Sequence, residues 1–114
     1  MTKTFIQTIT FEKQWDDLGF TDDDLCRLEY EIMKNPQAGK IIPGTGRLRK
    51  MRFATQYAGK RGGARVCYVD FVVLDTIYLF FAYGKSQKEN LTQEECHNIK
   101  KAIDVLEKKL MREA

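Results

Sequence analysis

Hydrophobic and polar positions alternate along short segments of the chain, and this period of two is typical of β-strands. The first segment, residues 3–10, is rich in β-branched side chains. Three more strands are predicted at residues 47–54, 64–74 and 77–83. The last of them is apolar on both faces, which predicts a central strand of the sheet.

Apolar residues recur at a spacing of three to four in three other segments, which predicts helices. A short helix is expected after the first strand, with Thr10 as its N-cap. A second begins at Thr21, has three aspartates in its first turn, and stops before Pro36. The last begins at Thr92, with Glu95 in the position that completes a capping box.

The order of these elements, β-α-α-β-β-β-α, predicts an α+β fold in which helices pack against a mostly antiparallel sheet. Residues 36–46 are expected to form a loop, and residues 56–63 a turn that carries glycine and lysine. A tight turn is expected at residues 75–76. With 114 residues, of which 43% are hydrophobic, the chain is expected to form one domain over residues 1–114.

Several classes of protein are excluded by these patterns. The longest apolar run has the length of one strand, far short of the roughly 20 residues that span a membrane. The first residues have no signal-peptide pattern, so we expect a cytoplasmic protein with no membrane contact. The three cysteines, Cys26, Cys67 and Cys96, form no CxxC or Cys/His motif, so neither zinc nor another cofactor is expected.

Charge is distributed unevenly along the chain. The net charge is only +3, but residues 32–69 contain no Asp or Glu. The nine cations in this window are Lys34, Lys40, Arg47, Arg49, Lys50, Arg52, Lys60, Arg61 and Arg65. Elsewhere ten basic residues are outnumbered by sixteen acidic ones. This basic segment indicates a partner that carries phosphates, such as a nucleic acid.

Alternation along the second predicted strand separates two sets of side chains. Met51 and Phe53 share the face that we expect to reach the core, whereas Lys50 and Arg52 lie together on the opposite face. Arg65, on the next strand, joins them if the register allows. Such a surface suits phosphates, because each contact releases counterions and arginine adds bidentate geometry.

Other residues would extend this surface. Lys60 and Arg61 lie on the glycine turn, and Lys85 follows the last strand. The candidates for RNA binding are Arg47, Arg49, Lys60, Arg61 and Tyr68. Tyrosines beside cations are typical of sites where single-stranded RNA bases stack, and the strands carry or adjoin Tyr57, Tyr68, Tyr78 and Tyr83. The alternative is an ordinary solvated sheet face with tyrosines in the core.

Cleavage of RNA by its own 2′-hydroxyl group needs a proton acceptor, a group that holds the charge of the phosphorane, and a proton donor for the leaving oxygen. The only histidine, His97, lies on the last helix, where a surface position is expected, and the basic segment has no carboxylate. A base there would have to be a lysine or a tyrosine whose pKa neighbouring cations lower. Arginine suits the phosphorane charge.

Three blocks of the sequence resemble the RelE superfamily of type II toxins, and most closely its HigB branch. They read Ile42-Pro43-Gly44-Thr45-Gly46-x-Leu48-Arg49-Lys50-x-Arg52, then Gly59-Lys60-x-Gly62-Gly63-x-Arg65-Val66-x-Tyr68, then Tyr83-Gly84-Lys85 with Leu91-Thr92. The likeness runs from the first strand to the last helix. It implies a small α+β toxin that enters the ribosomal A site and cuts translated mRNA by 2′-hydroxyl attack, without a metal.

The resemblance also implies roles for four cations. Lys50 and Arg52 match the strand cations of RelE-like toxins. Arg65 matches the arginine that stabilises the phosphate, and Lys85 falls in the basic stretch after the last strand, near the leaving group. These four are the expected catalytic residues.

Two positions depart from the pattern of the superfamily. Ser86 and Leu91 stand where RelE-type enzymes commonly carry an arginine and a tyrosine. Either proton transfer is then shared differently, with Tyr68 or Tyr83 as the substitutes, or activity is lower. The alternative for both tyrosines is a buried position in the core.

Two partners are implied by the resemblance: the ribosome with bound mRNA, and a cognate antitoxin, often a helix-turn-helix protein of the HigA type. Operator DNA would be contacted only through the antitoxin complex. Two alternatives stay open. A ParE-like toxin shares the fold but poisons DNA gyrase, and a plain RNA- or DNA-binding module has no catalysis. The four catalytic cations favour RNA cleavage.

Overall fold

The structure is a computed structural model that describes residues 3–54, 63–84 and 90–114. Within these residues the chain forms five strands and three α-helices. In chain order they are β1 (Thr4–Gln7), α1 (Ile9–Asp17), α2 (Asp22–Lys34), β2 (Lys40–Ile41), β3 (Arg49–Phe53), β4 (Ala64–Phe71), β5 (Thr76–Gly84) and α3 (Gln93–Glu113). The α+β class is confirmed, with one strand more than the sequence predicted.

All five strands belong to one mixed sheet with the order β1-β5-β4-β3-β2. The pair β1–β5 is parallel, and the other neighbours are antiparallel. The added strand, β2, pairs Lys40 with Lys50 and Ile41 with Arg49. The prediction of a plain loop over residues 36–46 is therefore wrong at two positions, because a two-residue edge strand is too short to show alternation. β5 lies inside the sheet, as its apolar faces predict, but the middle strand is β4.

Helices cover both faces of the sheet. On one face, α1 buries Phe11 and Trp15, and α2 buries Leu28 and Ile32, in a core that also contains Phe53. On the other face, α3 buries Ile103 in a core with Phe80. The sheet is thus the middle of three layers, which is why β4 and β5 carry apolar residues on both sides. None of the helices in the described ranges is long and apolar enough to cross a membrane.

Threonine side chains cap the three helices. Thr21 and Thr92 both form capping boxes with the residue three positions on, so the predicted starts of α2 and α3 are confirmed. At α1 the cap is Thr8, and the prediction of Thr10 is wrong. The Thr8 hydroxyl accepts from the backbone N–H three residues on at 2.9 Å and donates to the Phe80 carbonyl at 2.8 Å. The chain therefore passes from β1 into α1 without a loop.

The connection between β4 and β5 is longer than predicted. β4 ends at Phe71, and Val72–Leu74 forms a short 3-10 turn. Asp75 follows in the left-handed region, with φ 48°. The expected turn at residues 75–76 therefore contains Asp75, whereas Thr76 already belongs to β5.

The Gly-Thr-Gly segment between β2 and β3 packs along α3. Thr45 is buried, and its hydroxyl donates to the Ile42 carbonyl at 2.7 Å and accepts from the Leu48 N–H at 3.2 Å. Gly44 has φ +86°, and a Cβ there would lie 3.2 Å from the Cβ of Cys96 on α3. Glycine suits this position because it adopts a positive φ without strain and has no Cβ to crowd Cys96. This segment therefore sets where the beginning of α3 lies above the sheet.

Candidate active face and nucleic-acid interface

The strand register brings the basic residues into two rows on the α3 side of the sheet. Arg52 pairs with Arg65, and Arg65 pairs with Tyr83. In the next row, Lys50 on β3 pairs with Lys40 on one side and with Cys67 on the other. Directly paired side chains have Cβ atoms about 4.5–5.5 Å apart. We call the surface formed by Lys40, Lys50, Arg52 and Arg65 the cationic face.

The cationic face lies beyond the part of the sheet that α3 buries. Arg52 is exposed, whereas Lys50 and Arg65 are half-buried. The cross-strand pair of Arg52 and Arg65 places like charges directly opposite each other, an arrangement that destabilises a sheet. Four cations from three neighbouring strands thus lie on one surface, which suits a ligand that carries phosphates.

Cys67 adds no negative charge to this surface. Burial raises the pKa of its thiol to about 11, although Lys50 and a hydrogen bond from Tyr83 act in the opposite direction. The thiol therefore stays protonated at neutral pH and places no negative charge beside Lys50. The same hydrogen bond ties the Tyr83 hydroxyl to the middle strand, at the edge of the cationic face.

Tyr68 does not offer its ring to RNA. Its side chain is fully buried in the core beneath α1 and α2, on the opposite side of the sheet from the cationic face. The hydroxyl donates to the Pro36 carbonyl at 2.8 Å and accepts from the Gly39 N–H at 3.2 Å. Burial also raises the pKa of Tyr68. This side chain anchors the segment after α2, and we leave it out of the proposed RNA contacts.

Arg47 is held by carboxylates of α3. Its guanidinium donates to both oxygens of Glu107, at 2.8 and 3.1 Å, and to Asp104 at 3.2 Å. It also lies over the Phe71 ring, 5.4 Å from the centroid. The hydrogen bonds to Glu107 are the largest cause of a raised pKa of Arg47. These contacts favour a role in clamping α3 to the sheet over a role in RNA binding.

Arg49 is turned to the other side of β3 from Lys50. It pairs with Tyr68 in the register, and its guanidinium donates to the carbonyls of Gln37 and Gly39 at 3.0 and 2.8 Å. Arg49 therefore stabilises the segment between α2 and β2, and it too is left out of the proposed RNA contacts.

Some sequence candidates fall outside the residues that the structure describes. They are Lys60, Arg61, Lys85 and Ser86, and their roles stay predictions. Leu91, the second departure from the superfamily pattern, is half-buried near the beginning of α3. His97 is exposed on α3, as expected. In the described ranges, no group of three His, Cys, Asp or Glu side chains is placed to hold a metal ion.

A groove that sequence reasoning missed lies between the beginning of α3 and the sheet. Its volume is about 910 Å³. The sheet side is formed by Lys40, Lys50, Cys67, Phe81 and Tyr83, and the α3 side by Glu95, Cys96, Asn98 and Ile99. The groove therefore shares Lys40 and Lys50 with the cationic face. The sequence signal for this groove is weak: it is the spacing of Glu95, Asn98 and Ile99, which puts them on one side of a helix.

A comparison with known families gives a match over almost the whole chain. The model of the family described as the RelE toxin of the RelE/RelB toxin-antitoxin system matches residues 2–113. The match includes every described element from β1 to α3, and with them the cationic face. It agrees with the resemblance at the level of the superfamily and does not distinguish the HigB branch.

Proposed function

This chain belongs to the RelE toxin family, and from that premise we propose that it is a ribosome-dependent endoribonuclease of the HigB-like branch. It enters the ribosomal A site and cleaves translated mRNA there, which stops translation. The observation that carries this proposal is the cationic face, where Arg52 lies opposite Arg65 in the register with Lys50 in the adjacent row. This arrangement fits the scissile phosphate of an RNA chain.

The arginine pair suits the charge that develops during cleavage. When the 2′-oxygen attacks phosphorus, negative charge grows on the phosphorane oxygens. Arg65, half-buried on the middle strand, is surrounded by less water than a surface residue, which strengthens its interaction with that charge. Arg52 is exposed and approaches the same phosphate from the neighbouring strand. Both guanidinium groups are suited to bidentate contacts with phosphate oxygens.

We assign to Tyr83 the acceptance of the 2′-hydroxyl proton, and to Lys85 the donation of a proton to the 5′-oxygen. In the reaction the 2′-hydroxyl loses its proton, its oxygen bonds to phosphorus, the bond to the 5′-oxygen breaks, and that oxygen gains a proton. Tyr83 is half-buried, pairs with Arg65 across β4 and β5, and lies at the edge of the cationic face. Tyr68 is buried on the opposite side of the sheet. Lys85 stays the predicted group beside the leaving oxygen.

The partners follow from the same proposal. Toxins of this family pair with an antitoxin, and we propose a helix-turn-helix protein of the HigA type. Acidic or helical segments of that partner would cover the cationic face. Operator DNA would then be contacted only through the complex. On the ribosome, the cationic face would meet mRNA and rRNA phosphates, so affinity should fall steeply with salt.

Primer extension on an mRNA after induction of the toxin tests the proposed reaction. We expect cuts within translated codons, and none in a matched mRNA whose start codon is mutated. Intact mRNA with altered DNA supercoiling would instead support a ParE-like gyrase poison. Unimpaired growth at high expression would contradict both toxin readings and leave a non-catalytic binding module.

Replacing the two tyrosines separates catalysis from stability. Tyr83→Phe is expected to slow single-turnover cleavage on programmed ribosomes about 100-fold, the scale of one proton-transfer group, when the rate is expressed per folded molecule. Tyr68→Phe should lower the free energy of unfolding by about 1–3 kcal/mol, because the Gly39 N–H and the Pro36 carbonyl lose a buried partner. Its folded fraction should cleave at the wild-type rate. Equal rates for Tyr83→Phe and the wild type would contradict the assignment of Tyr83.

A further inference from the structure

The outer edge of β5 changes its partner part of the way along the strand. The parallel pairing with β1 ends at Gln7 with Leu79, whereas β5 continues to Gly84. Beyond that pair α1 lies beside the edge, and the side-chain carbonyl of Gln14 accepts from the Ala82 N–H at 2.8 Å. A glutamine side chain of α1 therefore takes the place that a further residue of β1 would have in the sheet.

We propose that Gln14 is a positioning residue for Tyr83, because its hydrogen bond fixes the end of β5 and thereby the place of the Tyr83 hydroxyl at the edge of the cationic face. Ala82 directly precedes Tyr83 in the strand, so the bond fixes the backbone one residue before the ring. The inference rests on the proposed function, since the position of Tyr83 affects the rate only if this residue accepts the 2′-hydroxyl proton. A proton acceptor must lie within hydrogen-bond reach of the group that it deprotonates.

Burial makes this hydrogen bond hard to replace. Ala82 is 1% exposed and belongs to the core beneath α1 and α2. A buried N–H that loses its partner is costly, so without the Gln14 carbonyl the backbone is expected to shift until this N–H meets water or another acceptor. β5 ends two residues later, at Gly84, so its end can move while the rest of the sheet stays paired. That movement would carry Tyr83 away from its position opposite Arg65.

Gln14 itself is held against β5 by the packing of α1. Phe11 and Trp15 on the same helix are buried in the core, and their rings stack with centroids 5.4 Å apart. The cap of α1 is also bonded to β5, since the Thr8 hydroxyl donates to the Phe80 carbonyl at 2.8 Å. With the helix fixed in this way, the half-buried side chain of Gln14 stays within reach of its N–H partner.

Tyr83 is restrained from the other side by the middle strand. Its hydroxyl donates to the Cys67 thiol, and its backbone pairs with Arg65 in the register. Gln14, Cys67 and Tyr83 all line the groove beside the cationic face. The place of the hydroxyl thus depends on β4 on one side of the strand and on α1 on the other, and α1 acts there through the side chain of Gln14.

The substitution Gln14→Met removes the acceptor and keeps an unbranched side chain of similar length. We expect it to slow single-turnover cleavage on programmed ribosomes about tenfold per folded molecule, a part of the roughly 100-fold that a proton-transfer group contributes. The ribosome concentration that gives the half-maximal rate should stay unchanged, because the cations that bind RNA are not altered. Lys13→Met is the matched control, since Lys13 is an exposed residue of the same helix, and it should cleave at the wild-type rate.

A double-mutant cycle shows whether Gln14 acts through Tyr83. In a Tyr83→Phe background the hydroxyl that Gln14 positions is already absent, so Gln14→Met should slow cleavage less than about twofold further. A merely structural role would instead slow the reaction by the same factor in both backgrounds. Such additive losses, or a Gln14→Met protein that cleaves at the wild-type rate, would overturn the positioning role. That role also falls if Tyr83→Phe alone cleaves as fast as the wild type.

Amide hydrogen exchange in the free toxin, followed by NMR, tests the geometry without cleavage. Gln14→Met should speed exchange of the Ala82 amide about tenfold and move the side-chain resonances of Tyr83, and Lys13→Met should change neither. Amides of residues 76–79, which pair with β1, should keep their wild-type exchange rates. If these results hold but translated mRNA stays intact with the wild-type toxin, the proposed reaction fails and the geometric role of Gln14 stands. Unchanged exchange at Ala82 in Gln14→Met would overturn that role.

Discussion

Arg65→Ala is expected to abolish RNA cleavage and toxicity while leaving the protein folded. Arg65 lies on the middle strand, with Arg52 opposite on one side and Tyr83 on the other. Removal of one group aimed at the transition-state charge typically slows an enzyme about 100- to 1,000-fold. The side chain belongs to neither hydrophobic core. The variant is therefore expected to fold, and a thermal melt beside the cleavage assay checks this.

Single-turnover cleavage on programmed ribosomes and growth after induction measure this effect, at expression levels matched by immunoblot. Arg112→Ala is the control, because Arg112 is an exposed arginine in the last turn of α3, far along the chain from the cationic face. Arg65→Lys keeps the charge but loses the bidentate geometry, so it should retain partial activity. A folded Arg65→Ala protein that stays toxic at wild-type level would show that the cationic face is not the active site.

Part of the cationic face follows from alternation alone. Lys50 and Arg52 are two positions apart, so a strand must put them on one side, and Met51 and Phe53 on the other. The same rule puts Arg49 on the side of Met51, although the charge of the segment had suggested an RNA contact. A count of charged residues along the sequence does not show on which face of the strand each residue lies. The alternation of side chains along the strand predicts better which cations share a surface.

Long-range contacts explain what sequence reasoning missed. The sequence around Arg47 does not predict that its partners are Glu107 and Asp104, some sixty residues later in the chain. The tyrosine pattern beside cations fits stacking on RNA, but the buried partners of Tyr68 lie about thirty residues earlier. Such pairings depend on the register of the sheet and on the position of α3, and neither is encoded in local periodicity.

The N-caps of two helices follow from local sequence, whereas the N-cap of the third depends on a tertiary contact. At α2 and α3 the threonine and the acidic residue three positions on form a local motif, and both starts are where the sequence placed them. At α1 the choice between Thr8 and Thr10 is decided by β5. The backbone of Thr8 donates to the Leu79 carbonyl, and its hydroxyl donates to the next residue, Phe80. A tertiary contact thus selects between two residues of equal local propensity.

Gly63→Ala is expected to lower the free energy of unfolding by about 3–5 kcal/mol, at the upper end of single substitutions. Gly63 precedes β4 and has φ +65°, and a Cβ there would lie 2.0 Å from the Phe53 carbonyl oxygen and 2.8 Å from the Cα of Ala54. Both atoms belong to backbone, so no side chain can yield. The clash is relieved only if the ends of β3 and β4 move apart, at the pair of Phe53 with Ala64.

The same movement disturbs the cationic face, because Arg65 follows that pair directly and lies opposite Arg52. Cleavage by Gly63→Ala should therefore fall further than its folded fraction, measured by urea unfolding at the assay temperature. Gly19→Ala is the matched control: Gly19 has φ +82° with nothing within 4 Å of an added Cβ, so it carries only the left-handed penalty of about 1–2 kcal/mol. If Gly63→Ala and Gly19→Ala lower the free energy of unfolding equally, Gly63 is needed only for its left-handed backbone angle. A larger loss of stability in Gly63→Ala would show that Gly63 is also needed for the strand register that aligns Arg52 with Arg65.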